Sequence, residues 1–205
     1  MKTILEICRE VADIAGVERP DNLWGDENKN DYWLGIVLLE LNSLLSYNWR
    51  ELIKEYEIKP YSCEKKLWKD IIINGDYLCL VHNTIYIKDN QNRVIGAIPY
   101  KKWKNNRKCV SEGVAFRIND NSIRIIDFKK GVKILFQYKS KSIVWNWNTF
   151  EEQSVLNSND NVPIFDEYLV KLGVLWRWEK AHCQDYSESY SEYQRELKKR
   201  LGERL

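Results

Sequence analysis

Residues 163–205, PIFDEYLVKLGVLWRWEKAHCQDYSESYSEYQRELKKRLGERL, carry the pattern around which the rest of the chain can be read. The stretch predicts two consecutive helices, the second with an apolar face made largely of tyrosine. Steps of four, three, four and four residues put five side chains on one side of this helix. These residues, the tyrosine stripe, are Tyr186, Tyr190, Tyr193, Leu197 and Leu201.

The tyrosine stripe has two interpretations. The helix can pack back on its own domain, as amphipathic helices generally do. Alternatively, the stripe docks on another subunit or protein, because tyrosine brings apolar area with a polar tip and is enriched at interfaces. Both interpretations can hold for different residues, and all five residues are therefore candidates for binding a partner.

The preceding helix is predicted to begin at Pro163, since proline suits the first turn. Gly173 inside it costs roughly 1 kcal/mol relative to alanine, which indicates close backbone packing at that point. Asp185 followed by Glu188 is typical of a capping box and predicts the start of the second helix. The expected buried face of the first helix consists of Phe165, Tyr168, Leu169, Leu172 and Trp176.

The N-terminal region predicts two more helices. Thr3 and Glu6 form a capping box, and Gly16 is suited to the position after the last turn. A second helix is expected over residues 31–46, after a polar loop. Its apolar face consists of Trp33, Leu34, Val37, Leu38, Leu41, Leu44 and Leu45. We expect the two helices to pack as a short hairpin.

From about Ile71 to Trp147 the hydrophobic period changes to two, which predicts an antiparallel sheet of short strands. TIYIKDN and RVIGAI (residues 84–98) read as one hairpin, and FRIN and SIRIID (residues 116–127) as another. In the next strand, alternate residues from Val132 to Tyr138 are predicted to share one face.

The order of these elements predicts an α+β fold. Residues 1–58 together with 151–205 are expected to form a helical domain of N-terminal hairpin and C-terminal helices. Residues 59–150 are expected to form an antiparallel β domain inserted between them. Residues 151–162 are polar and turn-prone, and are therefore predicted to be a loop.

Charge is divided unevenly along the chain. Residues 59–150 hold 18 Lys and Arg against 7 Asp and Glu, whereas both flanking parts are net acidic. Such a basic middle suits nucleic acid, an acidic partner, or attraction between copies. The densest basic segment surrounds an aromatic ring and is a candidate nucleic-acid contact loop, formed by Lys101, Lys102, Trp103, Lys104, Arg107 and Lys108.

Catalytic motifs are absent from the sequence, so no enzymatic activity and no cofactor are predicted. His182 beside Cys183 has no second ligand pair at metal spacing, and no metal site is expected. The E-x-K at Glu64 reads as a solvated charge cluster. No apolar run is long enough for a membrane span, and the charged N-terminus does not read as a signal peptide. The five cysteines, an odd number, are interpreted as reduced thiols.

Several stretches together resemble the head-to-tail adaptor proteins of tailed phages, in particular the tail tubular protein A kind of short-tailed phages. These are ILEICREVADIAGV (residues 4–17), LLELNSLLSYNWREL (38–52), DYLCLVHNTIYI (76–87) and residues 162–197. In the last stretch, the positions that match the adaptor pattern are Pro163, Leu169 or Leu172, Gly173, Trp176, Arg177, Asp185, Tyr186 and Tyr193.

The resemblance implies a structural virion protein made in the host cytoplasm. Such adaptors assemble, usually as twelve copies, into a ring beneath the portal protein. The ring extends the DNA channel, through which double-stranded DNA passes without its sequence being read, and it docks tail nozzle or tail fibre proteins. The alternative drawn from the residues alone is a basic nucleic-acid-binding module of α+β fold.

Overall fold

The computed structural model describes residues 1–24, 30–58, 68–72, 75–87, 115–119, 122–126 and 133–202. It confirms the α+β fold, with helices at both ends of the chain and antiparallel strands between them. The chain divides into two compact units, Met1–Leu52 with Lys141–Leu205 and Ile53–Ser140. We refer to them as the helical unit and the β unit. Their boundaries lie at 52/53 and 140/141, where the sequence had predicted 58/59 and 150/151.

Helix α1 (Ile4–Ala15) begins and ends as its capping residues predict. The Thr3 side chain accepts from the Glu6 amide, and the Glu6 carboxylate accepts from the Thr3 amide, so the capping box is complete. Gly16 follows the helix with φ of 68°, a left-handed conformation that glycine adopts without steric cost. The sequence signals are local here, and the prediction of this helix is confirmed.

Three further helices complete the helical unit: α2 (Asn30–Leu45), α3 (Glu167–Ala181) and α4 (Ser187–Leu201). Helix α3 is central, because α1, α2 and α4 all pack extensively against it. In the described structure, the main packing partner of both N-terminal helices is therefore α3, where the sequence had predicted a hairpin of α1 and α2. The core between these helices includes Ile7, Val11, Val37, Leu41, Leu169 and Val174.

A small antiparallel sheet precedes α3 in the chain. Its strands are β8 (Val144–Asn146), β9 (Glu151–Gln153) and β10 (Asn161–Pro163), in the order β10–β8–β9. The predicted loop over residues 151–162 is therefore wrong in part, and Pro163 ends a strand instead of starting a helix. Asp166 caps α3, since its carboxylate accepts from the Leu169 amide at 3.1 Å.

The β unit holds seven described strands in two sheets. In the first, β7 (Ile134–Ser140) pairs with β1 (Ile53–Ile58), β3 (Tyr77–Leu80) and β4 (Tyr86–Ile87). In the second, β6 (Ser122–Ile126) lies between β2 (Trp68–Ile72) and β5 (Ala115–Asn119). Every described pair is antiparallel.

The predicted alternation is confirmed in β7. Ile134, Phe136 and Tyr138 are buried, and the intervening Leu135 and Gln137 are half-buried. The β5–β6 hairpin is also confirmed, with Asn119 opposite Ser122. The other predicted hairpin lies mostly outside the described residues, from Lys88 onward, and its first strand pairs with β7.

Candidate functional site

The tyrosine stripe lies on the side of α4 that faces α3, and its members differ in exposure. Tyr193 and Leu197 are buried in the core, each 3% exposed, and Leu201 is partly buried against it. Tyr190 is 40% exposed and Tyr186 is half-buried. The C-terminal part of the stripe thus packs on its own unit, and the N-terminal part reaches the surface. A role for these residues in partner binding stays a prediction.

Helix α4 begins at Ser187, one residue later than expected from a cap at Asp185. Tyr186 holds the N-cap position and makes no side-chain capping bond. Asp185 instead accepts from the Ser187 amide at 3.0 Å, which folds the residues ahead of the helix into a tight turn. The turn directs Tyr186 toward α3, where its ring lies 6.3 Å from that of Trp176.

Trp176 is the centre of an aromatic cluster between α3 and α4. Its ring lies 5.1 Å from Tyr190 in an edge-to-face arrangement and 6.1 Å from Tyr193. Tyr186 and Tyr190 also meet edge to face at 6.4 Å. Such pairs add roughly 0.5–1.5 kcal/mol each beyond the area they bury. The cluster therefore joins the two helices and leaves one face of Tyr190 in solvent.

Two cations border the aromatic cluster. The Arg177 guanidinium lies 4.2 Å from the centre of the Trp176 ring. The Lys180 ammonium lies 5.8 Å from the rings of both Trp176 and Tyr186. Cations over aromatic faces are attracted by the ring quadrupole. Arg177 is mostly buried, whereas Lys180 is exposed, so Lys180 supplies the positive charge at the surface beside Trp176 and Tyr186.

Beneath this surface, a fully buried carboxylate connects α2 to α3. Glu40 is 0% exposed and lies 3.1 Å from an Arg177 Nη atom. Within the described part of the chain, neither Glu40 oxygen has a partner in hydrogen-bond geometry. The carboxylate occupies the space over Gly173, where an added Cβ would lie 2.1 Å from its Cδ. The close packing predicted at Gly173 is thus a contact with a charged side chain.

Burial governs the protonation of this group. It raises the pKa of Glu40 to about 7, although Arg177 and the Tyr193 hydroxyl both act to lower it. Burial and the neighbouring Glu40 raise the pKa of Tyr193 above its ordinary value of 10. The Tyr193 hydroxyl is close enough to affect Glu40, but it does not form a well-aligned hydrogen bond. Glu40, Arg177 and Tyr193 thus form one coupled group under the aromatic cluster.

The far end of α4 is fixed to the start of α3 by ion pairs. Arg200 contacts Asp166 at 2.7 Å and Glu196 at 2.8 Å. The Tyr168 hydroxyl donates to Glu192 one turn nearer the middle. Because Asp166 also caps α3, one carboxylate serves both helices. The α3–α4 pair is thus connected along its whole length.

A second aromatic region, which was not predicted from the sequence, lies at the turn between β8 and β9. Trp147 is 56% and Phe150 71% exposed, with their rings 5.9 Å apart. Asn146 accepts from the amides of Asn148 and Thr149, which shapes the turn. The run of asparagines beside aromatics in NWNTF (residues 146–150) is a turn signal that could have indicated it.

The remaining candidate residues from the sequence are the basic loop, Glu64 and His182. The whole basic loop, from Lys101 through Trp103 to Lys108, lies outside the described residues, as does Glu64. His182 packs its ring on Trp178 at 3.9 Å, and its Nδ1 lies 2.9 Å from the Trp178 carbonyl. Across the described ranges, no group of three or more potential metal ligands comes together.

Comparison with known proteins gave no match, either among models of protein families or among curated sequences. Of the helices that the structure describes, none is long and apolar enough to cross a membrane.

Proposed function

We propose that this chain is a head-to-tail adaptor of a tailed bacteriophage. Copies of it form a ring of about twelve subunits beneath the portal protein, closed by head-to-tail contacts between unlike surfaces. The ring continues the channel for double-stranded DNA and presents a docking surface for tail nozzle or fibre proteins. The protein's role is structural and requires no cofactor.

One observation carries the proposal. In the last of the four stretches that resemble phage adaptors, the matching residues lie on or next to α3 and α4, and several of them meet at one place. Gly173 and Arg177 both contact Glu40, and Trp176 contacts Tyr186 and Tyr193. A motif whose members pack together is more informative than the same letters scattered over a surface. This convergence supports the resemblance.

The exposed part of the tyrosine stripe is the surface that we assign to the portal or a neighbouring subunit. Tyr190 combines partial exposure with fixed geometry, since Trp176 and Tyr186 hold its ring. Rigid aromatic side chains lose little conformational entropy on binding, which favours their use as anchors. Lys180, over the rings of Trp176 and Tyr186, adds a positive charge that suits a carboxylate on the partner.

The test is mass photometry of the purified protein, alone and mixed with the portal protein encoded in the same genome. We expect a single new species with the mass of a portal ring plus about a dozen copies of the chain. No shift in mass would contradict the proposal. An unrelated phage's portal is the matched control and is expected to leave the protein unbound.

A second candidate function is supported by the charge of residues 59–150, which is +11. A basic module of this kind would bind phosphates without reading bases, through Lys101, Lys102, Trp103, Lys104, Arg107 and Lys108. Its test is DNA binding by the monomer across a salt series. Tight binding that weakens steeply with salt would favour this function. Absence of binding at about 0.1 M salt would favour the adaptor.

A further inference from the structure

The turn between β8 and β9 exposes two aromatic rings on a well-defined support. Asn146 and Glu151 form the last pair of the two strands, so residues 147–150 make a four-residue turn. The Asn146 carboxamide accepts from two amides of the turn, at 2.9 and 3.2 Å. Trp147 and Phe150 stand at the two ends of this turn and contact each other. We call these four residues the aromatic turn.

The backbone of Phe150 has a left-handed conformation, which phenylalanine adopts less readily than glycine or asparagine. Its φ is +53°, in the left-handed region that glycine and asparagine adopt readily and bulky residues avoid. Burial offers no compensation, because 71% of Phe150 is exposed. Within the described structure, the fold therefore gains little from phenylalanine at this position. Strained, exposed residues of this kind concentrate at binding surfaces.

The segment that contains the aromatic turn carries one sign of charge. Residues 142–165 contain Glu151, Glu152 and Asp160 and no lysine or arginine. Glu151 and Asp160 are exposed, at the end of the small sheet from which the turn projects. The complementary partner is apolar at its centre and basic at its border.

The β unit of the same chain has a net basic composition. The β unit, residues 53–140, holds 18 Lys and Arg against 9 Asp and Glu, whereas the helical unit holds 14 against 21. In an assembly of identical copies, an acidic patch of one copy and a basic patch of the next make a contact between unlike surfaces. Such contacts, repeated with a closing rotation, generate rings.

We propose that the aromatic turn is a docking surface for a second copy of this chain, and that it binds the basic β unit of that copy. Trp147 and Phe150 enter the contact as the apolar anchors, and Glu151 and Asp160 pair with lysines or arginines around them. This inference rests on the proposed ring, for which it names one of the two surfaces that join neighbouring subunits.

The first experiment measures self-association by sedimentation velocity over a concentration series of the full chain at low salt. We expect reversible association that Phe150→Gly weakens by roughly ten-fold or more, as the loss of an aromatic anchor does. Because glycine relieves the left-handed backbone, the same variant is expected to keep or raise the melting temperature. Leu39→Ala is the matched control, since Leu39 is 65% exposed in the same unit.

Two results would overturn the inference: no association of the wild type at any concentration, or equal association of wild type and Phe150→Gly. A photo-crosslinking amino acid at position 150 locates the partner surface. Crosslinks to residues 53–140 of a second copy support the inference. Crosslinks to the helical unit of a second copy, or binding of the wild type to anionic phospholipid vesicles in place of self-association, contradict it.

The portal experiment separates this inference from the proposed function. If Phe150→Gly still joins the portal in full copy number, the aromatic turn is not a subunit contact, and the adaptor proposal stands. If the wild type self-associates through the turn but never binds the portal, the inference stands and the adaptor proposal fails.

Discussion

The aromatic cluster between α3 and α4 and the aromatic turn between β8 and β9 belong to the same unit, but their rings have opposite surroundings. Trp176 contacts three tyrosines and two cations, so its ring is covered on several sides. Phe150 contacts one ring and is otherwise exposed on a strained backbone. The comparison teaches that the aromatic residues of this unit divide into rings that stabilise the fold and rings that stay exposed.

The largest effect that this comparison predicts is for Tyr193→Asp. The substitution places a carboxylate beside the buried Glu40, and two buried like charges are expected to cost more than about 4 kcal/mol. Urea unfolding followed by circular dichroism measures the loss. Tyr193→Phe is the control and should stay folded. A folded Tyr193→Asp protein of normal stability would show that Tyr193 does not belong to the core.

The second prediction concerns pH and Glu40. The pKa of Glu40 in the folded protein is raised from 4.5 to about 7, so the folded state binds a proton more tightly than the unfolded state. Its contribution to stability is therefore complete below about pH 4.5 and is lost as the pH rises to about 7 and beyond, by a difference of about 3 kcal/mol.

The measurement is the free energy of unfolding of wild type and Glu40→Gln at several pH values. Carboxylates with lowered pKa, such as Asp76 and Glu196, affect both proteins alike and cancel in the difference. We expect the advantage of the wild type over the variant to shrink between pH 4.5 and 8. A difference that is flat or grows with pH would mean that Arg177 keeps Glu40 ionised throughout.

A smaller loss is predicted for Gly173→Ala. Alanine gains helix propensity, but its Cβ would meet the Glu40 carboxylate at 2.1 Å and force it from its place beside Arg177. A net destabilisation of about 2 kcal/mol is expected. Gly35→Ala on α2 is the matched control, since a Cβ there meets nothing within 4 Å. That variant should gain up to about 1 kcal/mol. Equal effects of the two substitutions would contradict the contact.

The smallest effect on stability is predicted for Tyr190→Ala. Its ring is 40% exposed and is one of several around Trp176, so a loss of about 1 kcal/mol or less is expected. The thermal midpoint should change little, whereas the mass-photometry complex with the portal should be lost. Normal complex formation by the folded variant would remove Tyr190 from the docking surface.

The parts of the fold that could be predicted from sequence are those fixed by local signals. The capping residues Thr3 and Gly16 set the limits of α1, and β5 and β6 pair as strands that are adjacent in the sequence. The short strands β9 and β10 could not be predicted, because three residues show no period and their pairing with β8 is a tertiary effect. Pro163 was predicted to start a helix, but it ends the short strand β10, which the sequence does not reveal. The helix signal is Asp166, three residues later.

The sequence predicted which residues form the candidate site, but it did not predict which of them are buried. The spacing of the tyrosine stripe correctly placed its residues on one face of α4. Spacing alone does not reveal that Tyr193 is buried and Tyr190 is exposed. Glu40 lies on the apolar face of α2, a visible anomaly, but its partner Arg177 is far away in the sequence. Only packing brings the two together, so the buried pair could not be inferred from either segment.

The discontinuity of the helical unit has a consequence for synthesis on the ribosome. Helices α1 and α2 pack on α3, which begins at residue 167, after the entire β unit has been made. About 120 residues separate α2 from α3, so at roughly 5–20 residues per second the first two helices wait on the order of ten seconds for their partner. The β unit, whose strands lie in one continuous segment, can fold during that interval. We therefore expect nascent chains to acquire their β structure first and to close the helical unit last, with the apolar faces of α1 and α2 open to chaperones in the meantime.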